Sequence, residues 1–359
     1  MASTGQVEIN KLTPDNGAIT DLRELIFLER LDGGAISDTF TLYPGAIDGK
    51  KVGLVGRMGL VGENQNDCKP VWNATNIPFH EKEWELGEWT ISERICYKDL
   101  KDTLVRYAMR KKTSVSDLTS TDYMDVIVEP LLSEAIDDMF WRLYWFGDKQ
   151  AANVSGGGLI TNKFDPKYFQ VTDGFFKRLF EITTNNPKQR AVIAANDAAT
   201  YAEQRNQLRV AGVAMGIMDD LVYNSDPRLR QLTDKVILTT QSLADAVAID
   251  AKKITGSDLQ WESLFDGLIS STRFNGQEII ALPKWDETIA AYEDNGTTLN
   301  KPHRALYTSR KNLLAGIASD NMIAELDIFF SKDDQDNKII ARDEIGTLIL
   351  ENDMLRFAH

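Results

Sequence analysis

The chain has 359 residues, 43% hydrophobic and 26% charged, the balance of an ordinary globular protein, which excludes disordered and collagen-like classes. That length exceeds a single small core and predicts two compact lobes with extended pieces. A net charge of −14 excludes a protein whose main task is gripping nucleic acid, because phosphate affinity comes from clustered Lys and Arg.

No run approaches the roughly 18–20 apolar residues that cross a bilayer. The start, MASTGQVEIN, lacks the basic and apolar regions of a secretion signal, so synthesis in a cytoplasm without a membrane partner is expected. Cys68 and Cys96 are too few for a disulfide framework and lack zinc-ligand spacing, and they read as reduced thiols.

Residues 1–39 form a polar arm in which Thr20 caps a short amphipathic helix, with Leu22, Leu25, Ile26 and Leu28 on one stripe and Gly33 and Gly34 ending it. A lone helix of about twelve residues is marginal in water, so the arm needs a docking surface, which a neighbouring subunit could supply.

Glycines recur between β-type residues from Phe40 to Ile91, predicting a long twisted hairpin. Trp72, Phe79, Trp84 and Trp89 fall in its charged, poorly periodic far part. Large aromatics in such a segment either anchor another chain or pack on the parent domain.

Helical spacing follows over Ser92–Lys112, ending in the basic cluster Arg106, Arg110, Lys111 and Lys112. Cations at a helix C-terminus suit its dipole, and the same cluster could meet DNA phosphates. A longer helix is predicted from Asp122 to Phe146, kinked at Pro130, with Leu131, Leu132, Ala135, Ile136, Met139, Phe140, Leu143 and Tyr144 in its 3.6-residue apolar stripe.

Residues 150–166 read as a linker. Beyond it lie predicted helices at Gly174–Thr183 and Ala194–Tyr223, a strand at Lys235–Thr240, a helix at Ser242–Lys252 and strands at Leu268–Arg273 and Gln277–Leu282. A helix at Trp285–Tyr292 and a strand at Ala305–Thr308 complete an α/β lobe. Three β-rich segments close the chain, Met322–Phe330, Lys338–Ala341 and Gly346–Phe357.

Chemistry-bearing motifs are sparse. His80, His303 and His359 are far apart, and GxSxG, P-loop and HExxH patterns are absent from the sequence. The glycines at 156–158 precede LITNKFDP and not a helix start, so a linker is the simpler reading than a phosphate cradle. The acidic run Asp333, Asp334 and Asp336 lacks EF-hand spacing and reads as a solvated turn. No catalytic, cofactor or metal residues are expected.

Four stretches carry a resemblance: CYKDLKDT (96–103) with the long helix ending WFGD (145–148), DKVILTTQSLADAV (234–247), RFNGQEIIALPKWDE (273–287) and PHRALYTSRKNLLAGIA (302–318). Their order and spacing resemble major capsid proteins of tailed phages with the Hong Kong ninety-seven fold, most closely those of Bacteroidetes-infecting, crAss-like phages. The resemblance implies an α+β chain with an N-terminal arm (1–39), an extended β-hairpin loop (40–91), a peripheral domain with a spine helix (92–165), an α/β axial domain (166–310) and C-terminal peripheral strands (311–359). It also implies pentamers and hexamers in an icosahedral shell around double-stranded DNA, with portal, scaffolding and cement or head-fibre partners. The coiled-coil prosegment of many relatives is missing, so any scaffold is expected as a separate protein. Leu22, Leu25, Ile26, Trp72, Phe79, Trp84 and Trp89 are the expected subunit contacts. An encapsulin-type shell, an α/β enzyme and an aromatic-grooved peptide- or sugar-binding module are the rival readings, the last resting on Trp72, Trp84 and Trp89.

Overall fold

The computed structural model describes residues 38–55, 79–95, 106–112, 129–152, 165–256, 259–264, 269–274, 276–320, 323–331, 333–334 and 336–359. In chain order the first elements are strands β1 (Thr41–Pro44), β2 (Lys51–Val55), β3 (Phe79–Glu83) and β4 (Gly87–Ile95), a helical turn at 106–111, and helix α1 (Glu129–Phe146). Then come α2 (Phe175–Asn185), β5 (Arg190–Ala191), α3 (Tyr201–Leu208), α4 (Val213–Tyr223), α5 (Pro227–Gln231), β6 (Lys235–Thr240) and α6 (Gln241–Thr255). The last third holds β7 (Glu262–Leu264), β8 (Ile269–Phe274), β9 (Gln277–Leu282), α7 (Pro283–Tyr292), β10 (Ala305–Ser309), β11 (Leu313–Ile317), β12 (Glu325–Ser331), β13 (Asp336–Ile349) and β14 (Leu355–Ala358).

Seven strands form one sheet in the order β5-β14-β10-β6-β9-β8-β7. At its centre β6 and β9 are parallel, Val236 opposite Glu278 and Thr240 opposite Leu282. A parallel pair needs a crossover, and α6 begins it. Both faces of β6 are covered: Val236 and Leu238 enter one core, Ile237 the other, with Leu221, Leu243 and Val247. This explains the uninterrupted apolar run VIL.

The second sheet runs β1-β11-β13-β12, with β4 also paired to β13. β13 organises it. Its first half lies between β12 and β4, and Ile345 is opposite both Ile317 of β11 and Gly87 of β4. β4 and β11 therefore flank opposite sides of β13, and β1, parallel to β11, lies on the side away from β4. β2 and β3 form a separate antiparallel ribbon.

The spine helix α1 links the sheets. Trp145 packs at 4.5 Å from Trp285 of α7, and Phe176 of α2 at 4.8 Å from the same indole. Each such ring buries roughly 150–250 Å2, about 4–6 kcal/mol of gross hydrophobic stabilisation before ordering costs. Pro130 occupies the first turn of α1, where its missing N–H costs nothing; residues 122–128 of the expected helix lie outside the described residues.

Several expectations are corrected. Ser92–Ile95 belong to β4 and not to a helix: the spacing of Ile91 and Ile95 suits either period, and nine-residue pairing with β13 decides it. The segment from Phe40 to Ile91 is not one hairpin, because β1 and β4 are absorbed into the second sheet, leaving β2 and β3 as the strands that pair with each other among the described residues. The expected helix over Ala194–Tyr223 is broken, with Gly212 at φ 84° before α4, a left-handed conformation that glycine adopts without strain. At the C-terminus, Lys338–Ala341 and Gly346–Ile349 are one strand, and β14 joins the seven-stranded sheet beside β10 and β5. The expected C-terminal unit over 311–359 thus gives its last strand to the α/β lobe.

Candidate assembly surfaces

The ribbon is rooted in packed structure. Gly49 N–H donates to Trp84 O at 2.9 Å and Trp84 N–H to Lys50 O at 3.0 Å, extending the β2–β3 ladder. The Trp84 ring is 1% exposed, in a small core with Ala46, Leu314 and Leu348, and Tyr43 stacks on it at 5.5 Å. A Cβ on Gly316 would stand 2.7 Å from that indole, so the close fit requires glycine in β11. Arg178 of α2 ties the root to its surroundings, donating to Thr347 at 2.9 Å and to Glu85 at 3.2 Å. Lys82 donates to Ile349 O and, at 2.6 Å, to Asn352 Oδ1. Burial and then the Arg178 charge push the Lys82 ammonium down to about 8.

Beside the root, β4 and α1 enclose an open groove of about 990 Å3, lined among others by Trp89, Ile91, Leu131, Met139, Tyr168 and Ile339. Leu131 is 57% and Tyr168 51% exposed. Arg142 lies along one side, its guanidinium 5.9 Å from the Tyr168 ring and 5.8 Å from Phe169, donating to Tyr168 O. Asp138 on the same wall is paired with Lys284 at 2.6 Å.

The turn at 106–111 presents Arg106, Arg110, Lys111 and Lys112 outward while Ala108 is buried in the main core. Lys112 stops the turn at φ 58°. Met109 beside them is 72% exposed.

Buried polar groups elsewhere hold the fold. Asp286 accepts from the Gln241 and Ser242 N–H groups at the start of α6, at 2.6 and 3.1 Å, and burial raises its carboxyl above the ordinary range. Asp343 accepts from Ser319 and from Ala324 N–H, fixing the turn after β11. Among the described residues no group of His, Cys, Asp and Glu is arranged to hold a metal ion.

Of the residues expected to contact other subunits, Leu22, Leu25, Ile26 and Trp72 lie outside the described residues, as does the Phe79 side chain; Cys68 and Cys96 are outside too. Trp84 and Trp89 are corrected: at 1% and 2% exposure they are core residues of their own chain and offer no ring to a neighbour. Trp89 instead packs edge-on against Phe140 of α1 at 5.9 Å. The sequence reading missed the groove, because Leu131 and Ala135 were assigned to the buried stripe of the helix.

The sequence matches no family model and no curated protein. Among solved structures, a chain of the satellite phage P4 procapsid that includes the size determination (Sid) protein is 11% identical with a TM-score of 0.53, over 96% of this chain and 98% of that one. A chain from Gordonia phage Cozz is 9% identical (TM-score 0.49, 90% and 85% covered), and one from Mycobacterium phage Ogopogo 11% identical (0.48, 90% and 91%). At such identities the likeness is one of fold, and the fold is the Hong Kong ninety-seven capsid fold.

Proposed function

We propose that this chain is the major capsid protein of a tailed phage, assembling as pentamers and hexamers into an icosahedral shell around double-stranded DNA. The observation that carries the reading is the end-to-end likeness to a procapsid chain, 96% of one and 98% of the other. Fold alone does not give function, and a second feature adds support: the β2–β3 ribbon is anchored at its root, as an element reaching to a neighbour must be. Identical chains repeating the same heterologous contacts close into rings, and rings into shells.

Made in the host cytoplasm, the protein would meet a portal, a separate scaffold and a cement or head-fibre protein. The four sequence stretches quoted above favour a Bacteroidetes-infecting, crAss-like source. DNA contact is weak and local to the turn at 106–112. Negative-stain imaging of the protein expressed with its scaffold tests the reading. Closed particles protecting double-stranded DNA from nuclease support it; particles holding only protein cargo indicate an encapsulin, and a persistent monomer overturns both.

A further inference from the structure

Three neighbouring strands of the seven-stranded sheet, β5, β14 and β10, bring a group of nitrogen bases to one end of one face. Arg190 of β5 is opposite Phe357, and Phe357 is opposite Leu306. His359 lies two residues beyond Phe357 and Arg304 two before Leu306, and residues two apart on a strand share a face. Lys301 joins them from the loop before β10. The Phe180 ring of α2 is the common neighbour: Lys301 Nζ lies 4.3 Å from its centroid, Arg304 Cζ 5.3 Å and the His359 ring 5.0 Å.

These groups are short of partners. Arg304 and His359 are 0% and 4% exposed, yet Arg304 Nη1 and His359 Nδ1 have no hydrogen-bond partner, nor has the buried Arg190 Nε. Arg190 and Lys301 make no ion pair among the described residues, and buried Glu293 is already engaged by Arg304 Nη2 and the Asn300 amide. Burial, then Arg190 and Arg304, lower the Lys301 ammonium, outweighing Asp197 and Glu293. Buried cations without a counter-charge are costly, and an ion is one of the few things that satisfies them.

His359 narrows the choice of ion. The Thr183 hydroxyl donates to Leu179 O at 3.0 Å, so its oxygen accepts the His359 Nε2–H, also at 3.0 Å. Nδ1 is therefore a bare acceptor. Burial, then the three cations, push this imidazole down to about 3, and it stays neutral near pH 7. The group thus combines N–H donors with one acceptor. Chloride and sulfate have no hydrogen to give that acceptor. A phosphodiester has none either, and a phosphomonoester has mostly lost its own at pH 7, its second pKa being about 6. Inorganic phosphate keeps at least one.

We propose that Arg190, Lys301, Arg304 and His359 form a binding site for inorganic hydrogen phosphate, the cations holding its oxygens and His359 Nδ1 accepting from its P–OH. The ion ties β5, β14 and the loop before β10 together within one subunit, so the site stands apart from the shell reading.

The test titrates sodium phosphate into full-length protein in a phosphate-free buffer at pH 7 by calorimetry, and records melting curves in phosphate, sulfate or chloride at matched ionic strength. One phosphate per chain should bind, and ten times its dissociation constant should raise the melting temperature by about 2 °C, with sulfate and chloride without that effect. Lys301 holds φ at 43°, a left-handed backbone that asparagine tolerates, so Lys301→Asn removes the cation with little strain and should weaken phosphate at least tenfold. Arg190→Gln should do the same and gives the answer if the first variant does not fold. His359→Phe keeps a ring on Phe180 and should erase the preference for phosphate over sulfate. No phosphate binding by wild type, equal stabilisation by sulfate, or adenosine monophosphate binding as tightly as free phosphate overturns the assignment. So does phosphate affinity unchanged in every folded variant that lacks Lys301 or Arg190, which would put the ion elsewhere on the chain.

Discussion

Arg304 is fully buried, its guanidinium 4.5 Å from the Phe176 ring and 5.3 Å from Phe180. It pairs with buried Glu293 and also donates to Asn300 O and Lys301 O. Burial holds the Glu293 carboxyl above its usual range, with Arg304 pulling it back. Removing one partner of such a pair leaves an uncompensated charge, so Arg304→Met should cost about 3–5 kcal/mol in urea unfolding. Adding Glu293→Gln should recover much of that; a double variant as unstable as the single one would show that the aromatic stacking of Arg304 matters more than its charge. His303 gives a pH-dependent counterpart. Its Nε2 donates to Gln204 O at 3.3 Å and its Nδ1 accepts from the Ser242 hydroxyl at 3.0 Å, while burial pushes it down from 6.5 to about 4. Between those values the unfolded chain binds a proton that the folded chain refuses, so its contribution to stability falls as pH drops through that window, by about 1.4 kcal/mol per unit. The raised carboxyls of Asp286 and Asp343 act in the opposite sense, which is why the variant comparison is the readout. From pH 7 to 5, wild type should lose about 2 kcal/mol relative to His303→Gln; parallel pH curves would refute the neutral-imidazole account.

At the scale of elements, the ribbon separates root from tip. Trp84, Arg178 and Lys82 lock the root to β11, β13 and α2, whereas an isolated two-stranded ribbon is marginal in water. Replacing Gly56–Asn76 by a short Gly/Ser turn should leave the melting temperature within a few degrees of wild type while abolishing or strongly weakening particle formation, read by calorimetry and imaging on one preparation. Global unfolding would instead assign the tip to the subunit's own core. The same division explains what the sequence made legible. β6 and β9 were expected at their observed boundaries, and α6, α7 and β10 within a few residues, because each announces itself by a local apolar run and a cap or proline. β4 was misread because its partner in β13 lies about 250 residues away, and no local pattern encodes that pairing. Trp84 and Trp89 misled for the same reason: their burial is made by Gly316 and Phe140, residues outside their own segment. The basic turn was legible because charge is local; the groove was not, because its two walls come from different elements.

For the whole molecule, 54 acidic residues against 40 basic ones set a repulsive background for any polyanion, over which only a local concentration of cations can act. The turn at 106–112 is one such concentration: Arg106 and Arg110, one helical turn apart, share a face, Lys111 and Lys112 follow, and Ala108 pins the turn to the core while all four basic residues are exposed. Four phosphate contacts would give a log–log salt slope no steeper than about −3.6, a loss of at most roughly 150-fold between 50 and 200 mM salt. A shell whose DNA must slide during packaging gains from that weakness. Binding of assembled particles' subunits to mixed-sequence duplex DNA, followed by fluorescence anisotropy across salt, should therefore be weak near 150 mM and independent of sequence. Replacing Arg106, Arg110, Lys111 and Lys112 by Ala, all exposed and so cheap to change, should flatten the slope by about one unit per cation removed without altering the melting curve. A slope unchanged in that variant would move the DNA contact to another part of the chain, and tight sequence-specific binding at physiological salt would overturn the passive-shell reading proposed above.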